Sequence, residues 1–283
     1  MKIILVPTDF SSSARNAILY AAPLAKAMKA KLILFHSFQL QIPSPDFPVV
    51  TITAAELKKD AEKILLKEAT SIRKRYGIKV ESHALSGFYP SEEIVLLTKK
   101  LKVDLVVMGM KGKGKVVQAL IGSTAIAVVR NIKTPVIIIP EKVKFIKPAK
   151  MLLAFDFSTP VGKDVFLPLR KIAKVFQSEI YVVNVLENGE DRAAEKSYAY
   201  IRLEKSLRGV KHVYYFPKNK NFEDGIDEFL AKHKAGLMAI VPHKHDLIER
   251  LFGKSNTKRI AFHTHIPLLA LPDRYARHPT YFI

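Results

Sequence analysis

The sequence predicts an α/β fold in which open parallel sheets are covered by helices on both faces and the unit occurs twice in tandem. Three observations carry this. Apolar, β-branched runs alternate with helical patterns from the first residue. Those runs are continuous rather than alternating, as in strands buried on both faces. The pattern then restarts near the middle of the 283 residues.

Residues 2–6 (Lys-Ile-Ile-Leu-Val) read as the first strand, and Ser11-Ser12-Ser13 can cap a helix running to about Ala30. Residues 31–37 are the second strand. A proline-rich excursion with Pro43, Pro45 and Pro48 precedes an amphipathic helix from about Ala54 to Tyr76. A short strand near 79–84, a helix from about Ser91 to Leu101 and the strand 104–108 follow. After a glycine-rich loop come a helix near 122–131 and a last strand in Thr134–Pro140. Residues 141–150 read as a linker. Beyond it, Met151–Ser158 mirrors Ile3–Ser11 with a shared Asp-Phe-Ser, Ile180–Val185 mirrors Leu32–Ser37, and His265–Pro272 mirrors Thr134–Pro140. Residues 273–283 continue past the second copy as a tail.

Composition narrows the class. A hydrophobic content of 48% and a mean hydropathy of +0.07 describe a globular chain with material for a core. No apolar run reaches the roughly 18 residues of a membrane span, and the opening run is broken by Pro7 too early for a signal peptide. Cysteine is absent, which excludes disulfides and thiolate metal sites, and the cytoplasm is the expected location. The net charge of +20 would attract polyanions. Its lysines are spread along helices instead of forming one block, which reads as solvated surface and not as a nucleic-acid interface.

The strongest chemical signal is Gly109-Met110-Lys111-Gly112, followed by Gly122-Ser123-Thr124. It stands directly after a buried strand and leads into a helix. Glycines admit close backbone approach, and a helix N-terminus offers unpaired N–H groups to phosphate. Together with Val6-Pro7-Thr8-Asp9-Phe10-Ser11, Phe35-His36-Ser37 and Gly87-Phe88-Tyr89-Pro90, this Gly-x2-Gly-x9-Gly-Ser spacing resembles the universal stress protein family in its tandem form.

The resemblance implies a Rossmann-like fold of the adenine-nucleotide hydrolase type, with five parallel strands in the order 3-2-1-4-5 in each of two domains. These are 1–142, with an intact loop, and 143–283, with a degenerate one. Ligands of open α/β sheets bind where strand order reverses, so Asp9 and Gly109 should converge. By resemblance, Pro7, Thr8, Asp9 and the backbone near Ser37 hold adenine and ribose. Met108 and Gly109 line the sugar side, and Gly112, Gly122, Ser123 and Thr124 hold the phosphates of ATP, with or without Mg2+. The family also implies internal pairing through 136–139 and 268–271, with a homodimer and a protein partner as further associations. An ATP-binding regulator of the stress response is the implied function. A polyanion binder, or a scaffold with a vestigial pocket, is the alternative.

Aligning Leu105 with Leu237 puts Val241 at the first glycine, Lys244 at the second and Lys254 at the third, so the second copy is not expected to bind ATP. Asp9 and Ser123 also have the simpler reading of helix caps. Gly109-x4-Gly114-Lys115 falls short of a phosphate-binding NTPase loop because Val116 stands where a Mg2+-binding hydroxyl is required. His243/His245 and His263/His265 flank opposite ends of the predicted sheet and should not share a metal. There is no nucleophile with a partnered base, so no catalytic residue is assigned.

Overall fold

The computed structural model describes residues 1–39, 53–110, 123–157, 161–162, 164–187, 198–242 and 266–273. In the first half these form β1 (Ile3–Pro7), α1 (Ser12–Met28), β2 (Lys31–Phe38), α2 (Ala54–Tyr76), β3 (Val80–Ser86), α3 (Pro90–Lys100), β4 (Leu105–Gly109), α4 (Ser123–Asn131) and β5 (Val136–Ile139). In the second they form β6 (Lys150–Ala154), α5 (Leu167–Phe176), β7 (Glu179–Val183), α6 (Tyr198–Leu207), β8 (His212–Tyr215), α7 (Phe222–His233), β9 (Leu237–Ile240) and β10 (Leu268–Ala270).

The strands make one ten-stranded sheet in the order β3-β2-β1-β4-β5-β10-β9-β6-β7-β8. Each half therefore repeats the order 3-2-1-4-5, with parallel pairing inside the half. The two expected sheets are merged. β5 and β10 pair antiparallel, with Leu268 opposite Ile138, Leu269 opposite Ile137 and Ala270 opposite Val136. Each last strand would otherwise leave an open apolar edge, and pairing removes both at once. All six residues are buried.

The helices begin and end where local chemistry allows. Ser11, not Asp9, caps α1: its hydroxyl accepts from the Ala14 N–H at 3.3 Å. Thr53 and Glu56 form a reciprocal capping box at the start of α2. Both α1 and α5 end on a residue in the left-handed region, Lys29 and Gln177 respectively, whose N–H groups close the last turn. Counted back from these matching ends, α5 (10 residues) starts seven residues later than α1 (17 residues).

The segment read as a linker is packed, not loose. The Asn16 amide donates to the carbonyls of Pro140 and Val143, both at 3.0 Å. The ring of Phe145 stands edge-on to Tyr20 of α1 at 5.1 Å and lies 5.9 Å from Phe176 of α5. One apolar cluster accordingly runs across both halves on this face of the sheet.

On α7, Asp227 lies near Asp224 and Glu223, and partial desolvation followed by repulsion from these carboxylates pushes its pKa up from 3.8 to about 6. The folded chain thus holds this proton more tightly than the unfolded chain. Its contribution to stability is full below the unfolded value and is lost as pH rises through the folded one. Asp227→Asn should therefore gain melting temperature relative to the wild type as pH is raised from about 4 to about 7, because only the wild type must ionise there. A constant difference across that window would count against this.

Candidate functional site

The end of β1 and the end of β4 lie side by side, because β1 is hydrogen-bonded between β2 and β4. A cleft of about 280 Å³ opens there. Pro7, Thr8, Asp9, Ser37, Met108, Gly109, Ser123 and Thr124 all line it. Gly112 and Gly122 lie outside the described residues, as do Lys111, Lys113 and Lys115 and the two histidine pairs. Ser13, Ala14, Phe35, Pro90, Ile94 and Ala125 also line the cleft and were not among the expected site residues, although Phe35 and Pro90 stand in the motifs that carry the resemblance. Alternation along β2 could have pointed to Phe35, which shares a strand face with Ser37. Ile94 belongs to the apolar face of α3.

The wall from β1 is tightly specified. Thr8 is buried; its N–H donates to the Phe35 carbonyl at 2.7 Å, and its hydroxyl accepts from the Phe10 N–H at 3.0 Å. An Asp9 carboxylate oxygen accepts from the Ser11 N–H at 3.0 Å, a turn that leaves the cap of α1 to Ser11. Asp9 itself is exposed at the cleft. On the neighbouring strand β2, the Ser37 hydroxyl is inaccessible to water and has no hydrogen-bond partner. A buried, unpaired hydroxyl costs about 1–3 kcal/mol. The floor is apolar, with Phe35, Ile94 and Met108. Opposite, Ser123 and Thr124 are the first two residues of α4, where helix N–H groups are unpaired within the helix.

Gly109 has a different reason from the one its loop position implies. A Cβ there would stand 2.3 Å from the carbonyl oxygen of Ser13 and 3.0 Å from the Ala14 N. The glycine admits the first turn of α1, and its φ is not among the left-handed ones. It serves packing directly, and the cleft through the Ser13 and Ala14 that also line it.

The strand registers give the equivalent positions in the second half. Pro7 pairs with Phe35 and Ala154 with Val183; Ile4 pairs with Leu105 and Met151 with Leu237. Val241 thus matches Gly109, as the sequence alignment expects, while Phe155 matches Thr8 and Val185 matches Ser37. All three are buried hydrophobics. Phe155 makes edge-on contacts with Phe157 at 5.0 Å and Phe166 at 5.2 Å. Gly225 of α7 leaves the room that Val185 fills, since a Cβ there would meet that valine at 2.6 Å. At the positions of Thr8 and Ser37 the second half thus carries buried hydrocarbon, while it keeps an exposed Asp156 where the first half has Asp9.

A second cavity, of about 410 Å³, opens between the halves beside Met1, Asp104, Lys133, Asp164, Lys171 and Pro272. None of the sequence-predicted site residues lines it. Among the described residues, no helix is long and apolar enough to cross a membrane.

Comparison with known proteins agrees with this architecture. The sequence profile of the Universal stress protein family matches residues 1–140. A universal stress protein of Methanocaldococcus jannaschii is 30% identical over 150 residues, which cover 50% of this chain and 84% of that protein. A second from the same organism is 30% identical over 156 residues, covering 50% and 96%. The crystal structure of a universal stress protein from Archaeoglobus fulgidus DSM 4304 matches with a TM-score of 0.73 at 18% identity. It covers 95% of this chain and 98% of its own, so the likeness in fold extends through both halves. With relatives that align over most of their own length, and a sheet that repeats one strand order twice, the chain belongs to the universal stress protein family.

Proposed function

We propose that the cleft of the first half binds an adenine nucleotide, ATP with or without Mg2+, and that the protein is a nucleotide-dependent regulator in the cytoplasm rather than an enzyme. The observation that carries this reading is the Ser37 hydroxyl, buried without a partner on the wall of a cleft that also holds the Asp9 carboxylate. A ligand with donors and acceptors offsets the cost of that orphan group once rotation about χ1 turns the hydroxyl from its enclosed position toward the cleft. The residues fit a nucleotide. Thr8, Asp9 and Ser37 can meet the hydroxyls and ring nitrogens of a nucleoside, and Phe35, Ile94 and Met108 offer an apolar floor for a base. Ser123 and Thr124, at a helix N-terminus, suit phosphate oxygens. No residue is assigned a catalytic role. The second half contributes the partner strand of the seam, β10, instead of a second nucleotide site. Because the last strands already pair within the chain, a homodimer would use another surface.

The test exploits the orphan group. Ser37→Val installs the side chain that the second half carries at Val185. Without nucleotide, the variant should be as stable as the wild type or more so, by about 1 kcal/mol, because a buried unpaired hydroxyl is gone. Its ATP affinity should fall roughly tenfold. Wild-type protein at a hundredfold excess of ATP over Kd should gain about 2.7 kcal/mol in thermal unfolding. Absence of any ATP-dependent shift in the wild type, with no heat of binding by calorimetry, would overturn the proposal. Binding that collapses with salt and ignores Ser37 would favour a polyanion binder instead.

A further inference from the structure

Phe10 and His36 lie just outside the cleft, and no feature described so far explains their arrangement. Phe10 follows Asp9 directly and has a φ of 63°, in the left-handed region that a bulky L-residue avoids. Its ring packs on the His36 imidazole, with centroids 4.3 Å apart and planes tilted by 31°. His36 Nδ1 lies 2.8 Å from the Thr8 carbonyl. A carbonyl only accepts, so Nδ1 carries the proton and donates. Neighbouring side chains of a strand point to opposite faces. His36 and Ser37 therefore bracket the Thr8–Asp9 turn, Ser37 from the cleft side and His36 from behind.

The second half supplies a comparison within the same chain. Of the left-handed non-glycine positions, Lys29 has its counterpart in Gln177, each the C-cap of its helix. Lys102, one residue past the C-cap of α3, has its counterpart in Lys234, the C-cap of α7. Phe10 has none. Its equivalent Phe157 keeps the residue type but not the positive φ, and it is buried among Phe155, Tyr200, Tyr214 and Phe216. The position of His36 is taken by Asn184, which offers no ring for an aromatic side chain to pack on. The unfavourable backbone is retained where Thr8 and Ser37 line the crevice and absent where Phe155 and Val185 stand. Strain confined in this way marks a constraint other than folding.

We propose that Phe10 and His36 are positioning residues of the cleft. The imidazole holds the Thr8 carbonyl and the Phe10 ring clamps the imidazole. The resulting turn presents the Asp9 carboxylate to the ligand, so the inference rests on the nucleotide reading above and adds to it how the acidic wall is aimed.

The test is a set of four variants, with Kd for ATP measured by calorimetry well below their melting temperatures. Phe10→Tyr keeps the ring and should bind ATP within about twofold of the wild type. His36→Asn keeps a side-chain N–H near the position of Nδ1 but loses the ring that Phe10 clamps, and its affinity should fall between those of the wild type and His36→Leu. His36→Leu loses the donor, and Phe10→Gly loses the ring while accepting the left-handed φ without strain. Both should weaken binding on the order of tenfold, as expected for a misaimed hydrogen-bonding group. Any drop in melting temperature is a separate readout, because a merely structural role would move stability and leave Kd unchanged. Unchanged Kd in His36→Leu and Phe10→Gly, or an equal loss in all four variants, would overturn the inference and leave nucleotide binding standing. A wild type that fails to bind ATP would remove both.

Discussion

Alanine at position 109 is expected to destabilise the nucleotide-free protein by about 3 kcal/mol, the upper end of the cost of forcing a methyl group into a filled site. The added Cβ would sit 2.3 Å from Ser13 O and 2.5 Å from Ser13 C, and these are backbone atoms that no rotamer change can move. Relief requires the first turn of α1 to retreat from β4, and that turn is held by its Ser11 cap and by Asn16 on the 140–143 segment. The second half shows what the glycine is exchanged for. Val241 occupies the equivalent register and is buried without difficulty, and there α5 begins seven residues later than α1. A long α1 demands Gly109; a shortened α5 admits valine. Urea unfolding of Gly109→Ala without ligand checks this. If the glycine served only the approach of a phosphate, stability would stay within about 0.5 kcal/mol and only nucleotide binding would suffer. Nucleotide affinity in this variant should fall as well, because Ser13 and Ala14 line the cleft.

How far the sequence reveals all this differs from element to element. The strands are legible because each is a short apolar run, and Ile4, Leu5 and Val6, or Leu105, Val106 and Val107, are indeed buried together. The convergence of Asp9 on Gly109 follows from strand order, which adjacent residues do not encode but the family pattern does. The internal pairing of β5 and β10 was legible for the same reason, since both carry the same apolar motif at the end of their copies. What stayed hidden depends on contacts between distant segments. Gly109 in sequence looks like a loop glycine, and only the position of α1 reveals it as a packing glycine. Asp9 and Ser11 are both good helix caps, and propensity alone cannot rank them; the Asp9 turn onto the Ser11 N–H decides it. Phe10 is among the residues least expected at positive φ, so local preference points away from the observed turn. The Ser37 hydroxyl is orphaned only once the folded chain encloses it, which no local sequence pattern encodes.

The second large effect is expected at the degenerate crevice. Phe155→Thr restores the first half's residue, and it should cost about 4 kcal/mol of stability, the usual loss for emptying a buried aromatic site. The ring it removes is almost fully enclosed and braces both Phe157 and Phe166, which would face a void. Threonine adds a hydroxyl with hydrocarbon around it, a further cost unless water enters. The same substitution should leave nucleotide stoichiometry at one per chain and the affinity of the first half close to that of the wild type. Val185 would still stand where Ser37 lines the first crevice, and Val241 at the register of Gly109. Thermal unfolding paired with calorimetric titration separates the two outcomes. A stable variant, or one that takes up a second equivalent of ATP, would mean that the aromatic cluster merely blocks a latent site. A destabilised variant with unchanged stoichiometry would mean that these side chains have become core. In that case one copy of the duplicated fold keeps its crevice unfilled and polar at a cost in stability, while the other has converted the same position into packing that supports the shared sheet.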